Sequence, residues 1–213
     1  MKQAFGISIP QSLSEICSPE RCALVIYDMQ VGIVTQIPDG QRIVTGCQTL
    51  LEAAHIAGMR VFFTRHLFLP RRSSGAGQLR RAMIWQGKTD PDQLGTMIAQ
   101  GSDAWQIVPA LAPLEDDVII DKITMSAFES TFLNVALRDA HLDSFIIAGI
   151  ALEVGIEPTV RHGADLNLIP VVAVDACGAK TLEAYERSLA TLKETGEVIL
   201  SPIAEIVASL NPG

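Results

Sequence analysis

The residues Ala23-Leu-Val-Ile-Tyr27 form a short apolar run that ends directly before an acidic residue, Asp28. Five similar runs recur along the chain, and several consist of consecutive Val and Ile residues rather than alternating apolar and polar ones. Continuous apolar runs are typical of strands that are buried on both faces of a parallel sheet. The runs predict strands over Ala23–Tyr27, Arg60–Thr64, Val118–Asp121, Ser144–Ala148, Pro170–Val174 and Val198–Leu200.

Segments with the apolar spacing of amphipathic helices lie between these runs. From Gln41 to Ala57 the apolar residues fall on one stripe, and Gly58 follows as a C-cap glycine would. The alternation of strands and helices predicts an α/β fold with mostly parallel strands. Further helices are predicted over Ser130–His141, Gly155–Leu166, Thr181–Thr195 and Pro202–Leu210.

One segment, from Leu69 to Gly101, breaks the alternation. It is rich in Gly, Arg, Ser, Asp and Gln, and it is much longer than an ordinary connection. Within it, Leu79–Gln86 has the pattern of a short helix. Long excursions at the carboxyl edge of a sheet often form lids or subunit contacts, whereas the plainer interpretation is a solvated insertion. We therefore treat residues 1–213 as one domain with an irregular insertion at about 69–101.

Composition and charge restrict the possible partners. The 213 residues are 48% hydrophobic and 19% charged, which excludes a disordered chain. The net charge of −8 disfavours binding to nucleic acid or to anionic lipid surfaces. No apolar run reaches the length of about eighteen residues that a membrane helix needs. We expect a small-molecule substrate, no nucleic acid and no membrane.

Cysteine usage and the N-terminal sequence predict a cytoplasmic location. The first twenty residues lack the charged and apolar regions of a signal peptide. The spacing of the cysteines suggests neither a paired motif nor a zinc knuckle. Reduced thiols are the default in that compartment. The cysteines are Cys17, Cys22, Cys47 and Cys177.

Candidate functional residues lie after the predicted strands, because ligands of open α/β sheets bind beyond the carboxyl ends of the strands. Asp28 follows the first strand and Lys122 follows the third. If both side chains reach the same crevice, Asp28 could give or take a proton. Lys122 could keep the Asp28 carboxylate ionised or stabilise a developing negative charge. The alternative is an ion pair with a purely structural role. Other polar groups at this edge are Arg65, His66, Glu153, Asp175 and Cys177.

Several motifs, in order, resemble the isochorismatase-like (cysteine hydrolase) superfamily. They are Asp28-Met-Gln30 after an apolar strand, Lys122-x-x-x-Ser-Ala-Phe128, and Ala148-Gly-Ile-Ala-x-x-Val154 ahead of Thr159 and Asp165. The resemblance covers roughly residues 22–199. It implies a single-domain three-layer sandwich with a six-stranded parallel sheet, and it implies a dimer or tetramer.

The resemblance also implies a catalytic arrangement, from which this chain departs. Amidases of the family use an Asp–Lys–Cys triad, and Asp28 and Lys122 occupy the first two places. The place of the nucleophile falls on Gly155, which has no side chain. Without a thiolate, the thioester route has no attacking atom. The resemblance therefore identifies Asp28, Lys122 and Gly155 as the catalytic positions, but without covalent catalysis.

Isochorismatases of the same family also have Gly at this place, and their chemistry needs no covalent intermediate. By that resemblance, Asp28 would protonate an enol ether, which requires a raised pKa that Lys122 opposes. The residues after Gly155 depart from the isochorismatase pattern, so the resemblance does not name isochorismate as the substrate.

Other residues could supply the missing functions. Cys177 could serve as a thiol, although a buried thiol without a role is more common. Glu153 or Glu157 could hold a hydrolytic water, although Glu157 would lie in a first helical turn, where the helix dipole favours a carboxylate anyway. His66 lacks the Asp-x-His partner motif of zinc-dependent relatives, and zinc needs three protein ligands. We expect no metal and no other cofactor.

The substrate pocket is expected to be an apolar slot with one or two cations. Phe68, Trp85, Trp105 and Phe128 are candidate walls, and Arg65 or Arg72 could meet a carboxylate. The resemblance further implies a cis peptide bond between Ile150 and Ala151, with backbone amides near Val154 and Gly155 forming an anion hole. The predicted substrate-binding residues are Gln30, Arg65, His66, Phe128, Ala151 and Val154.

Three functional interpretations remain open from the sequence. The first is a hydrolase that acts on a C–O or C–N bond of a small organic molecule, such as an enol ether or an amide, by acid/base chemistry of Asp28 and Lys122. The second is a catalytically silent member that binds a metabolite or acts as an oligomeric scaffold. The third is a cysteine hydrolase whose Cys was replaced by Gly at position 155.

Overall fold

A computed structural model describes residues 1–210 and contains a six-stranded parallel sheet with the order β5-β4-β3-β6-β7-β8. The predicted α/β class and the parallel sheet are confirmed. Short strands β1 (Lys2–Ala4) and β2 (Ile7–Ile9) pair separately as an antiparallel hairpin, which the sequence did not indicate. The sheet strands are β3 (Cys22–Tyr27), β4 (Arg60–His66), β5 (Val118–Lys122), β6 (Ser144–Ile150), β7 (Ile169–Gly178) and β8 (Ile199–Ser201).

Helices cover both faces of the sheet and give the three layers. On one face, α3 and α8 contribute to a core that includes Leu24 and Ile26 of β3. On the other, α5, α6 and α7 contribute to a core that includes Val25 and Tyr27. The helices are α1 (Leu13–Ile16), α2 (Val31–Val34), α3 (Gly40–Ile56), α4 (Ala76–Gln86), α5 (Leu133–Asp139), α6 (Glu157–Asp165), α7 (Leu182–Thr195) and α8 (Ile203–Leu210). Among the described helices, none is long and apolar enough to cross a bilayer.

The elements around β6 differ from the prediction in two ways. A π-helical turn, Leu152–Ile156, precedes α6, so the predicted helix over 155–166 is divided. Strand β7 continues to Gly178, with a register shift opposite Ile147 and Gly149 of β6. The π-helical turn places residues 152–156 at the carboxyl edge of the sheet.

The irregular segment 69–101 packs against the domain. Leu94 and Ile98 are only 2% and 3% exposed. The amide of Gln86, at the end of α4, bonds to both backbone groups of Gly95 at 2.9–3.0 Å and closes the segment on itself. Part of this segment is therefore packed against the protein and is not a fully solvated insertion.

Candidate active site

Asp28 lies directly beyond β3 and is 4% exposed. Its backbone has a φ of 48°, in the left-handed region that Asp tolerates better than most residues. The carboxylate accepts a hydrogen bond from Thr64 Oγ1 at 2.6 Å and another from Lys122 Nζ at 2.7 Å. Because both neighbours donate, these contacts suit the ionised carboxylate.

Lys122, the last residue of β5, brings its ammonium to Asp28 at a position that is 3% exposed. Nζ donates to Asp28 Oδ2, to the hydroxyl of Tyr27 at 2.8 Å and to the carbonyl of Thr124 at 3.2 Å. Burial lowers the pKa of Lys122, and the charge of Asp28 opposes that effect. The three protons of the ammonium all have partners, so its position is fixed by its neighbours.

Tyr27 is the third member of this cluster, although the sequence pattern indicated it only as part of a strand. Its hydroxyl accepts from Lys122 and donates to the carbonyl of Met125. Burial, with the nearby charge of Asp28, raises the pKa of the phenol well above its ordinary value. An aromatic residue with a polar tip at the carboxyl end of a buried strand was the available signal.

Gly155 lies in the π-helical turn beside this cluster. A Cβ built on Gly155 would overlap the hydroxyl oxygen and two ring carbons of Tyr27. The N–H of Gly155 donates to the carbonyl of Ala151 at 3.0 Å, so this amide already has a partner within the turn. The Ile150–Ala151 peptide bond is cis. Position 155 thus lacks both a nucleophilic side chain and the space for one.

A cavity of about 200 Å³ opens beside Asp28, Tyr27 and Gly155. Its walls are largely apolar, and they include Trp85, Met97 and Ile98 from the segment 69–101. The other lining residues are Ile33, Gln36, Ile37, His66, Phe68, Met125, Ile150, Ala151, Glu153, Val154 and Lys180. Of the predicted substrate-binding residues, His66, Ala151 and Val154 line this cavity.

His66 presents a neutral imidazole to the cavity. It is 6% exposed, and its Nδ1 is buried without a hydrogen-bond partner among the described residues. Burial lowers the pKa of His66 to about 4, and the charge of Asp28 opposes this shift only in part. Its ring meets that of Phe68 edge-on, with centroids 5.0 Å apart. A ligand in the cavity could therefore meet an imidazole nitrogen whose hydrogen-bonding capacity is unused.

Two further charged side chains lie on the cavity wall. Glu153 Oε1 accepts the backbone N–H of Lys180 at 3.0 Å, while its Oε2 is buried without a partner among the described residues. Lys180 is exposed, and no ion pair engages its ammonium within residues 1–210. From the sequence, the cationic role was predicted for Arg65 or Arg72, and Lys180, which lies just past the long strand β7, was missed.

Three predicted substrate-binding residues lie outside the cavity lining. Gln30 holds the backbone of His66, accepting from its N–H at 2.6 Å and donating to its carbonyl at 2.9 Å. Arg65 bonds to Asp121 at 2.8 Å and lies 3.6 Å from the ring centre of Trp105. Phe128 is buried and packs against Phe145, with centroids 5.5 Å apart. Of these three residues, only Gln30 bonds to a residue that lines the cavity, His66.

The alternative thiol and carboxylate that were considered from the sequence, Cys177 and Glu157, do not line the cavity. Cys177 is fully buried, does not line this cavity, and has its pKa raised to about 12 by burial. Glu157 accepts from Ser188 Oγ at 2.7 Å. Among residues 1–210, no group of three or more His, Cys, Asp or Glu side chains is arranged to hold a metal ion.

The chain is similar in sequence to proteins that are named as amidohydrolases. Ureidoacrylate amidohydrolase RutB of Acinetobacter baylyi is 25% identical over 192 residues, covering 83% of this chain and 78% of the relative. RutB of Klebsiella pneumoniae is 26% identical over 182 residues, covering 78% of this chain and 76% of the relative.

Solved structures show the same fold. A cysteine hydrolase from Pseudomonas syringae pv. phaseolicola superposes with a TM-score of 0.76 at 26% identity, over 90% of this chain and 93% of that one. An isochorismatase family protein from Burkholderia thailandensis superposes with a TM-score of 0.73 at 26% identity, over 90% of this chain and 96% of that one. The isochorismatase domain family matches residues 22–202. The chain therefore belongs to the isochorismatase family of hydrolases.

Proposed function

We propose that this chain hydrolyses a C–N bond of a small amide or carbamoyl compound without a covalent enzyme intermediate. The observation that carries the proposal is the pairing of Asp28 with Lys122 at the cavity, beside a Gly155 that offers neither a thiol nor room for one. Proton transfer by Asp28 to and from water needs no nucleophilic side chain.

The proposed reaction has two steps. In the first, a water molecule attacks the carbonyl carbon of the substrate, and Asp28 accepts the proton that the water loses. In the second, Asp28 returns this proton to the leaving nitrogen as the C–N bond breaks, which yields an acid and an amine or ammonia. Lys122 acts through Asp28, whose negative charge it stabilises before the first step and after the second.

The contacts of Asp28 favour this reaction over cleavage of an enol ether. An enol ether needs Asp28 to begin as a proton donor, but its carboxylate accepts from both Thr64 and Lys122. The relatives named ureidoacrylate amidohydrolase also support a C–N bond as the target. The exposed ammonium of Lys180 at the cavity wall favours a substrate that carries an acidic group.

A catalytically silent binding protein is the second candidate. The observation that favours it is the complete hydrogen bonding of Lys122, which leaves no proton of the ammonium for a substrate. Replacement of a catalytic Cys by Gly is less favoured, because a side chain at position 155 would overlap Tyr27.

A turnover screen separates the two candidates. The protein is incubated with a panel of ureido acids, N-carbamoyl amino acids and simple amides, while ammonia or amine release and the thermal midpoint are measured in parallel. We expect catalytic release from at least one acidic member of the panel. If one or more compounds raise the thermal midpoint and no compound of the panel is hydrolysed, the result would instead support the binding protein.

A further inference from the structure

We propose that Tyr27 takes the place of the missing thiol, so that its ring fills the side-chain space of position 155 and its hydroxyl holds Lys122 against Asp28. Tyr27 is then a positioning residue that commits the site to a non-covalent route. The claim that the site uses a non-covalent route rests on the proposed function. The claim that Tyr27 fills the space beside Gly155 and bonds to Lys122 does not.

The first argument is steric. The three atoms nearest to a Cβ on Gly155 would all belong to Tyr27, and overlaps of this kind require a neighbour to move. Tyr27 cannot readily move, because it is 2% exposed and lies at the end of the central strand β3. The glycine and the tyrosine are therefore a matched pair, and restoring Cys at position 155 alone would not restore the family's triad.

The second argument is electrostatic. The ammonium of Lys122 donates to the Tyr27 oxygen at 2.8 Å, and it lies 4.3 Å from the centre of the Tyr27 ring. The phenol thus gives the buried cation a partner on the side of position 155, where a thiolate would otherwise face it. Asp28 supplies the partner on the other side.

The third argument concerns what Tyr27 does not do. Its proton is donated to the carbonyl of Met125, and burial raises the pKa of the phenol. A neutral phenol that is bonded in this way is a poor nucleophile. Tyr27 therefore replaces the bulk and the hydrogen bond of a thiol but not its reactivity.

A thiol-reactivity experiment tests the placement without any substrate. Gly155→Cys is made alone and together with Tyr27→Ala or Tyr27→Phe, and alkylation by iodoacetamide is followed by intact mass. The native cysteines are buried, so the single Tyr27→Ala variant supplies the matched background. We expect alkylation to be at least about tenfold faster in Tyr27→Ala/Gly155→Cys than in the other two cysteine variants, since the Phe ring still fills the space.

The pH profile of this alkylation tests the role of Lys122. In Tyr27→Ala/Gly155→Cys, the reactive thiol should titrate at least about one unit below an ordinary cysteine, and adding Lys122→Met should abolish this shift. Equal alkylation of the introduced thiol with and without the Tyr27 side chain would overturn the steric claim. A profile that Lys122→Met leaves unchanged would overturn the electrostatic claim.

A stability cycle keeps the inference testable if the cysteine variants fold poorly. We expect Gly155→Ala to lower the thermal midpoint in the wild-type background and to have much less effect in the Tyr27→Ala background. Gly77→Ala in α4 is the control, because nothing lies within 4 Å of its Cβ position. If Gly155→Ala lowered the thermal midpoint equally in both backgrounds, the claim that Gly155 and Tyr27 are a matched pair would be contradicted. None of these measurements depends on hydrolysis, so failure of the turnover screen is a separate outcome.

Discussion

Asp28 and Lys122 form an ion pair whose side chains are 6% and 0% exposed. Removing one partner of such a pair leaves an uncompensated buried charge, which is more damaging than the loss of a surface contact. The pair should therefore be important for folding as well as for chemistry.

For Lys122→Met, we expect the free energy of unfolding to fall by about 3–5 kcal/mol. Urea denaturation measures the change. Arg161→Met is the control, because Arg161 lies 3.6 Å from Glu157 with 40% of its side chain exposed, and this loss should be about 0.5 kcal/mol or less. A similar small loss for both variants would show that Asp28 and Lys122 are not a buried pair in solution.

His66 should make the stability of the protein dependent on pH. Its pKa is lowered from 6.5 to about 4, so between these values the unfolded chain binds a proton that the native protein does not. The contribution of His66 to the free energy of unfolding is fully present above pH 6.5 and is lost as the pH falls towards 4. The loss amounts to about 2–3 kcal/mol over this interval.

We expect the free energy of unfolding of wild type to fall more steeply on acidification than that of His66→Gln, by roughly this amount. Urea titrations of both proteins at a series of pH values measure the difference. His141→Gln, at an exposed histidine, is the control and should follow wild type. Parallel curves for wild type and His66→Gln would mean that the imidazole titrates normally.

At the scale of elements, the segment 69–101 forms part of the cavity wall. It supplies Trp85, Met97 and Ile98 to the wall, and Ile98 is 3% exposed. The sequence left a lid or subunit contact and a solvated insertion equally open, because polar composition does not show which few apolar side chains are buried.

For Ile98→Ala, we expect a loss of about 2–4 kcal/mol in the free energy of unfolding, since a packed side chain is removed. Ile84→Ala in the same segment is the control, because Ile84 is 68% exposed and should be nearly neutral. Urea denaturation compares the two. A neutral Ile98→Ala would mean that the segment is solvated and does not form a stable wall.

The strands were predictable because consecutive Val and Ile residues are required where helices cover both faces of a sheet. The hairpin β1–β2 was not, because its six residues are mostly exposed and have no core-facing pattern. The π-helical turn was also missed, because its residues continue the apolar pattern of the helix that follows.

At the scale of the whole molecule, the parallel sheet brings distant residues together. Asp28 and Lys122 were found from the sequence because all strands present their carboxyl ends at one edge. Tyr27 was not found as part of the site, because its contact with Gly155 depends on the path of the chain after β6. Lys180 was missed because β7 continues beyond its predicted end, to Gly178.

Assembly is also a property of the whole molecule. We propose that the chain forms a dimer or tetramer, as its resemblance to the family implied. Multi-angle light scattering on the purified protein measures the mass in solution. A mass equal to one chain at all concentrations would contradict this proposal.

The central claim is that Asp28 transfers the proton in a site without a nucleophile. Its most direct test is kcat/KM of Asp28→Asn on whichever compound the wild type hydrolyses, with Asp121→Asn as the control, because Asp121 pairs with Arg65 away from the cavity. We predict a loss of about 10³-fold for Asp28→Asn and little change for Asp121→Asn. Unchanged turnover by a folded Asp28→Asn variant would contradict the account.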